Sequence, residues 1–117
     1  MVGYLAKYAS MKKAKKSKAV TEPADYAARA KILKALSHPA RLMIVDVLRN
    51  GPQCVCAIQE KVGSDLSTVS RHLSVLRHAG IVADERRGVQ VLCRLRCPCV
   101  VEFFDCTAKL MRAQKTR

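Results

Sequence analysis

The sequence has no tryptophan, and aromatic residues make up only 4% of its 117. Aliphatic side chains must therefore fill the core, and subunit pairing is an expected way to add buried area. No stretch approaches the roughly 18 consecutive apolar residues of a membrane span, which excludes a helical membrane protein. The lysine-bearing N-terminus is not followed by an apolar signal region or a cleavage-like site, so a secretory route is not expected and the chain is placed in the cytoplasm. There is no internal repeat. No nucleophile–base pair sits in a recognisable motif and no glycine-rich loop could cradle a phosphate. An enzyme is therefore not expected, nor an organic cofactor.

About half of the residues are apolar, enough for a packed core, and the length suits one domain. The formal net charge is +13, which calls for a polyanionic partner, either nucleic acid or an anionic membrane surface. Lys7, Lys12, Lys13, Lys15, Lys16 and Lys18 precede the first acid, Glu22, and account for less than half of that excess. The body is basic in its own right, so a nucleic-acid partner does not depend on the tail. Residues 1–22 read as a flexible basic arm that can add phosphate contacts. Residues 23–117 read as the folded domain.

Apolar spacing at Ala27, Ala30, Ile32, Leu33 and Leu36 predicts a helix over 25–36. Ser37 is the expected N-cap of a second helix over 40–48, with Pro39 in its first turn. Leu42, Ile44, Val45 and Leu48 should face the core, and Gly51 should cap the end. A short third helix over 53–62 is closed by Gly63. Asp65 then caps a fourth over 66–79, in which Val69, Leu73 and Leu76 repeat at i, i+4, i+7. A helix, a short glycine-bearing turn and a second helix make a helix-turn-helix. Two β-type runs, 81–85 and 89–95, flank Arg86-Arg87-Gly88 and predict a hairpin. A last helix to about 114 carries Val100, Val101, Phe103, Phe104 and Leu110, more apolar surface than one core contact needs, which points to a subunit interface. The expected class is mainly α with a β-hairpin wing, in the order α-α-α-α-β-β-α, assembled as a homodimer.

The segment from Asp65 to Leu73 carries the chemistry of nucleic-acid binding. With Val69 and Leu73 inward, Ser67, Thr68, Ser70, Arg71 and His72 turn mostly outward. Hydroxyls at a helix N-terminus can meet phosphates and base edges, and an arginine can fork onto guanine. A hairpin tip bearing Arg86 and Arg87 suits phosphate or minor-groove contact.

Leu36-Ser37-His38-Pro39-Ala40-Arg41 resembles the "LxxPxR" opening of the ArsR/SmtB family of metal-responsive repressors. Ser67-Thr68-Val69-Ser70-Arg71-His72-Leu73 with Leu76-Arg77-His78-Ala79-Gly80-Ile81-Val82 resembles its "STVSxHLxxLxxAGLV" signature. The likeness covers about residues 25–113. It implies a homodimer paired through its first and last helices, a palindromic site on double-stranded operator DNA, and an inducer that lowers DNA affinity.

Six cysteines remain, at 54, 56, 93, 97, 99 and 106. In a reducing compartment, close pairs of thiols suggest metal binding or redox sensing rather than a disulfide framework. Cys54-Val55-Cys56 resembles the family's "ELCVCDL" arsenic- and cadmium-sensing motif at its two cysteines only. Gln59 stands where some arsenic sensors have a third, and Ala57 where the motif has an acid. Two sulfurs at i and i+2 do not share a helix face, so common ligation would distort the first turn. The rival cluster is Cys97, Cys99 and Cys106. Cys99 and Cys106 lie about 10 Å apart along a regular helix, whereas sulfurs on one metal sit about 4 Å apart. Cys93 reads as core packing. Soft thiolates favour As(III), with Sb(III), Cd(II) and Pb(II) as alternatives. The last helix offers Glu102 and Asp105 but no histidine, which argues against a His/carboxylate zinc site. His38, His72 and His78 read as structural or DNA-facing.

The expected function is a repressor released from its operator when thiolates at Cys54 and Cys56 bind such an ion. The alternative on the same fold is a thiol-based redox or reactive-sulfur sensor. A metal-buffering or thiol-exchange protein leaves the Ser67–Leu73 pattern unexplained.

Overall fold

The structure, a computed structural model, describes residues 23–115. The basic arm expected over residues 1–22 lies outside them. The elements run α1 (Pro23–Leu36), α2 (Pro39–Leu48), β1 (Gln53–Cys54), α3 (Val55–Val62), α4 (Leu66–His78), β2 (Val82–Arg87), β3 (Gln90–Leu95) and α5 (Val100–Lys115). The chain divides into two units within α1, with the residues up to Ala30 in the first and those from Lys31 in the second. In the first, Tyr26 and Arg29 meet on one face of α1, the guanidinium 5.9 Å from the ring centre.

The second unit holds the core. Ile44, Val45 and Leu48 of α2, Ile58 of α3 and Val69, Leu73 and Leu76 of α4 pack with Ile81, Val82, Cys93 and Leu95 of the wing and Ala35 and Leu36 of α1. No polar or charged side chain is buried among the described residues. The β-strands form one antiparallel sheet in the order β1-β3-β2. No helix among the described residues is long and apolar enough to cross a membrane.

Four local expectations change. Ser37 is not the cap of α2: His38 is, in extended conformation, and its Nδ1 accepts the Ala40 N–H at 3.1 Å. A residue before proline is pushed out of the helical region, so His38 takes the half-in position and Pro39 the first helical one. Leu42 does not face the core. It is exposed beside Met43, because the buried stripe of α2 runs through Ile44, Val45 and Leu48. Arg49, not Gly51, is the C-cap of α2; Gly51 follows with a positive φ of 128° and donates to the Leu48 carbonyl. Finally, α3 begins at Val55, not Gln53. Gln53 and Cys54 are drawn into the sheet, pairing with Cys93 and Leu92 on the open edge of β3.

The wing is longer than its sequence signal. Arg86 and Arg87 are the last residues of β2, paired with Val91 and Gln90. The turn itself is Gly88-Val89, where Gly88 adopts a φ of 62°, a conformation that glycine takes without a Cβ penalty.

Candidate nucleic-acid interface and thiol sites

The second helix of the helix-turn-helix, α4, is fixed at its start by Asp65. Its Oδ1 accepts the Thr68 N–H at 2.9 Å, and the Ser67 hydroxyl donates to its other oxygen at 3.4 Å. The bonds from Thr68, with a smaller pull from Ser67 and Arg71, hold the Asp65 carboxyl below its usual range. The cap therefore stays ionised at neutral pH, facing the positive end of the helix dipole. Burial of Val69, Leu73 and Leu76 fixes the rotation of the helix. Ser67, Ser70 and Arg71 are left on the exposed face.

Thr68 and His72 do not share that exposure. Thr68 is half-buried, its backbone N–H given to the cap. His72 is half-buried and its ring packs against that of His38, with centroids 4.4 Å apart and planes tilted by 49°. Burial, then the positive neighbours His38, Arg41 and Arg71, hold the His72 imidazole below its ordinary value. His72 therefore packs on the cap of α2, with only part of its ring left open. The sequence showed both histidines but not their meeting. Arg41 lies close by, donating to the Ala35 carbonyl at 3.1 Å. His78 contacts the Ser74 carbonyl within its own helix.

The wing arginines differ from each other. Arg87 Nε lies 2.6 Å from Glu85 Oε2, and Arg94 also approaches that carboxylate, at 3.8 Å. Arg86 is exposed, and no carboxylate among the described residues pairs with it. The wing is tied to α4 by an ion pair from Arg77 to Asp84 at 3.0 Å, a link that no motif signalled. The buried Cys93 thiol points to the same carboxylate at 3.8 Å. Burial first, then the Asp84 charge, push that thiol up, so Cys93 stays protonated and inert as a core residue.

Cys54 is the N-cap of α3, half-buried, with Sγ accepting the Ala57 N–H at 3.4 Å. Cys56 follows in the first turn and is exposed. Because Cys54 is extended and outside the helix, the two sulfurs are not bound by the i, i+2 spacing of a helical face. Their donor chemistry fits a thiophilic ion held by two thiolates, provided that Cys54 leaves its cap. No group of three histidine, cysteine or acidic side chains that could hold a metal occurs among the described residues. The trio Cys97, Cys99 and Cys106 is accordingly not assembled: Cys97 and Cys99 are joined to each other as a disulfide, and Cys106 stands free and exposed on α5.

The profile of the family "Bacterial regulatory protein, arsR family" matches residues 38–84, from the cap of α2 through α4 into β2. The chain is similar to the HTH-type transcriptional regulator NmtR of Mycobacterium tuberculosis, 40% identical over 86 residues, which is 71% of this chain and 72% of that protein. Its fold is similar to the crystal structure of M. tuberculosis Rv0081, with a TM-score of 0.71 at 31% identity, covering 82% of this chain and 96% of the other. It is likewise similar to the homodimeric winged helix-turn-helix DNA-binding domain Mb0332 from Mycobacterium bovis, with a TM-score of 0.69 at 28% identity, covering 82% and 92%.

Proposed function

The chain belongs to the arsR family of bacterial regulatory proteins, and from that premise we propose that it is a cytoplasmic repressor that binds palindromic operator DNA as a homodimer. As(III), or another thiophilic ion such as Sb(III), Cd(II) or Pb(II), releases it by binding at Cys54 and Cys56. The observation that carries the DNA reading is α4: capped by Asp65, rotated by three buried aliphatics, and presenting Ser67, Ser70 and Arg71 outward. Thr68 supports the cap, Arg86 supplies an exposed cation on the wing, and Arg87 supplies one shared with Glu85. Two such helices related by a two-fold axis would read half-sites about one helical turn apart.

The inducer reading rests on where Cys54 sits. Its sulfur caps α3, and its backbone pairs with Leu92 of the wing. Thiolate capture by a soft ion would take Sγ away from the Ala57 N–H and strain the β1–β3 pairing. Losing a helix cap costs about 0.5–2 kcal/mol, and a tenfold change in affinity needs about 1.4 kcal/mol. A thiol is a weak acceptor, so the cap contributes at the low end of that range and the β1–β3 pairing carries part of the coupling. A second reading, a thiol-based redox response on the same fold, is favoured by the Cys97–Cys99 bond.

The test is fluorescence anisotropy of the reduced protein on a labelled duplex from upstream of its own gene, with and without arsenite. Arsenite should weaken binding at least about tenfold, and the Cys54→Ser/Cys56→Ser variant should bind equally well but not respond. Serine is itself a good N-cap, so the variant keeps its fold. A response that survives the double substitution would remove the inducer from this site.

A further inference from the structure

Cys97 and Cys99 lie outside the helix-turn-helix, between β3 and α5. We propose that they form a second effector site, a dithiol that a hydroperoxide closes to the disulfide, and that closing it resets the start of α5 and with it DNA affinity. The inference rests on the DNA-binding reading, but not on a metal at Cys54 and Cys56.

Three observations converge on these two residues. They are bonded to each other across Pro98, and both are exposed. Their carbonyls are also the acceptors on which α5 begins: Val100 donates to Cys97, Val101 to Pro98 and Glu102 to Cys99, at 3.0–3.1 Å. Opening or closing the ring therefore acts directly on the first turn of that helix. Lastly, both cysteines line an apolar cavity of about 320 Å3 together with Leu33 and Leu36 of α1 and Val100 and Phe103 of α5. That is the strip on which the proposed subunit pairing depends, so a change at the turn is felt where two chains would meet.

The chemistry balances with the hydroperoxide as the sole oxidant. The attacking sulfur is assigned to Cys99, next to the start of α5, reacting in its thiolate form. Its sulfur attacks the peroxide, the O–O bond breaks, and the alcohol (or water, from hydrogen peroxide) leaves with a proton from solvent. The resulting sulfenic acid is attacked by the Cys97 sulfur, the S–S bond forms and water departs. Two thiols give up two electrons, and a thiol reductant reverses the step by exchange. Cys106 lies seven residues along α5 from Cys99, about 10 Å at helical rise, too far to compete with a partner two residues away.

The experiment uses the full chain carrying Cys54→Ser and Cys56→Ser, fully reduced and then treated with hydrogen peroxide or cumene hydroperoxide. Intact mass and peptide mapping should show loss of two hydrogens confined to a Cys97–Cys99 link. DNA affinity in the two states should differ at least about fivefold and return on adding dithiothreitol. Cys97→Ser and Cys99→Ser should each abolish the change. Amide exchange at Val100, Val101 and Glu102 should be at least about fivefold faster in the reduced form. That readout survives even if no form binds the duplex, an outcome that would sink the DNA reading instead. Failure of the link to form, equal affinities in the two states, or a response that persists in either single variant overturns the proposal.

Discussion

His72 sits on α4 yet is half-buried, its ring tilted against that of His38 with Arg41 and Arg71 nearby. Its proton is disfavoured in the folded state, so between its folded value and the ordinary 6.5 the unfolded chain takes up the proton first. Stability should accordingly fall as pH drops below about 6.5 and level off once the folded form is also protonated. Thermal melts from pH 8 to 5 on the native chain and on His72→Gln check this, the variant giving the flatter profile. The same pair marks a limit of reading residues in order. The repeat Val69, Leu73, Leu76 was enough to orient Ser67, Ser70 and Arg71 outward. The half-burial of His72 depends on a ring brought in by the cap of another helix, and no local pattern encodes that. Cys93 was legible as packing because small thiols in an apolar strand bury readily. The Cys97–Cys99 bond was not, since that spacing serves a metal ion and a disulfide alike.

Among the elements, α4 and the wing are joined by the Arg77–Asp84 ion pair at 3.0 Å and by their shared part in the core. Two of their exposed arginines, Arg71 and Arg86, should nonetheless fail differently. Arg71→Ala should cost about 1–3 kcal/mol on the operator and relax discrimination at one base pair of each half-site. Arg86→Ala should weaken all duplexes alike and reduce the slope of log affinity against log salt by about one for each phosphate that it no longer neutralises. Anisotropy titrations across a salt series, on operator and on scrambled duplex, separate the two; matching behaviour would mean that one of them has been misplaced. These elements were readable because their punctuation is strong: Asp65 before α4, Gly63 and Gly80 at helix ends, Gly88 in the hairpin. β1 was not readable. Two residues after a proline carry no strand signal of their own, and they pair only because β3 offers an open edge.

At the scale of the whole molecule, the outer helices are incompletely used by one chain. α5 has no fully buried residue, and Ile32, Leu33, Phe103, Leu110 and Met111 remain exposed. A second copy would cover this surface, and the pairing should be sensitive to charge. Phe103→Glu, placed on the apolar cavity between α1 and α5, should raise the dimer dissociation constant at least about tenfold by desolvating a carboxylate. Sedimentation velocity reads that directly, and an unchanged far-ultraviolet spectrum would show that the helical content is retained. The centre of the molecule behaves differently. Among the described residues its buried side chains are aliphatic, apart from the Cys93 thiol that points to Asp84. Aliphatic interiors tolerate exchange among themselves when volume is kept. The interior therefore sets the shape of the scaffold, and what the chain offers chemically to its surroundings lies in its exposed arginines and sulfurs.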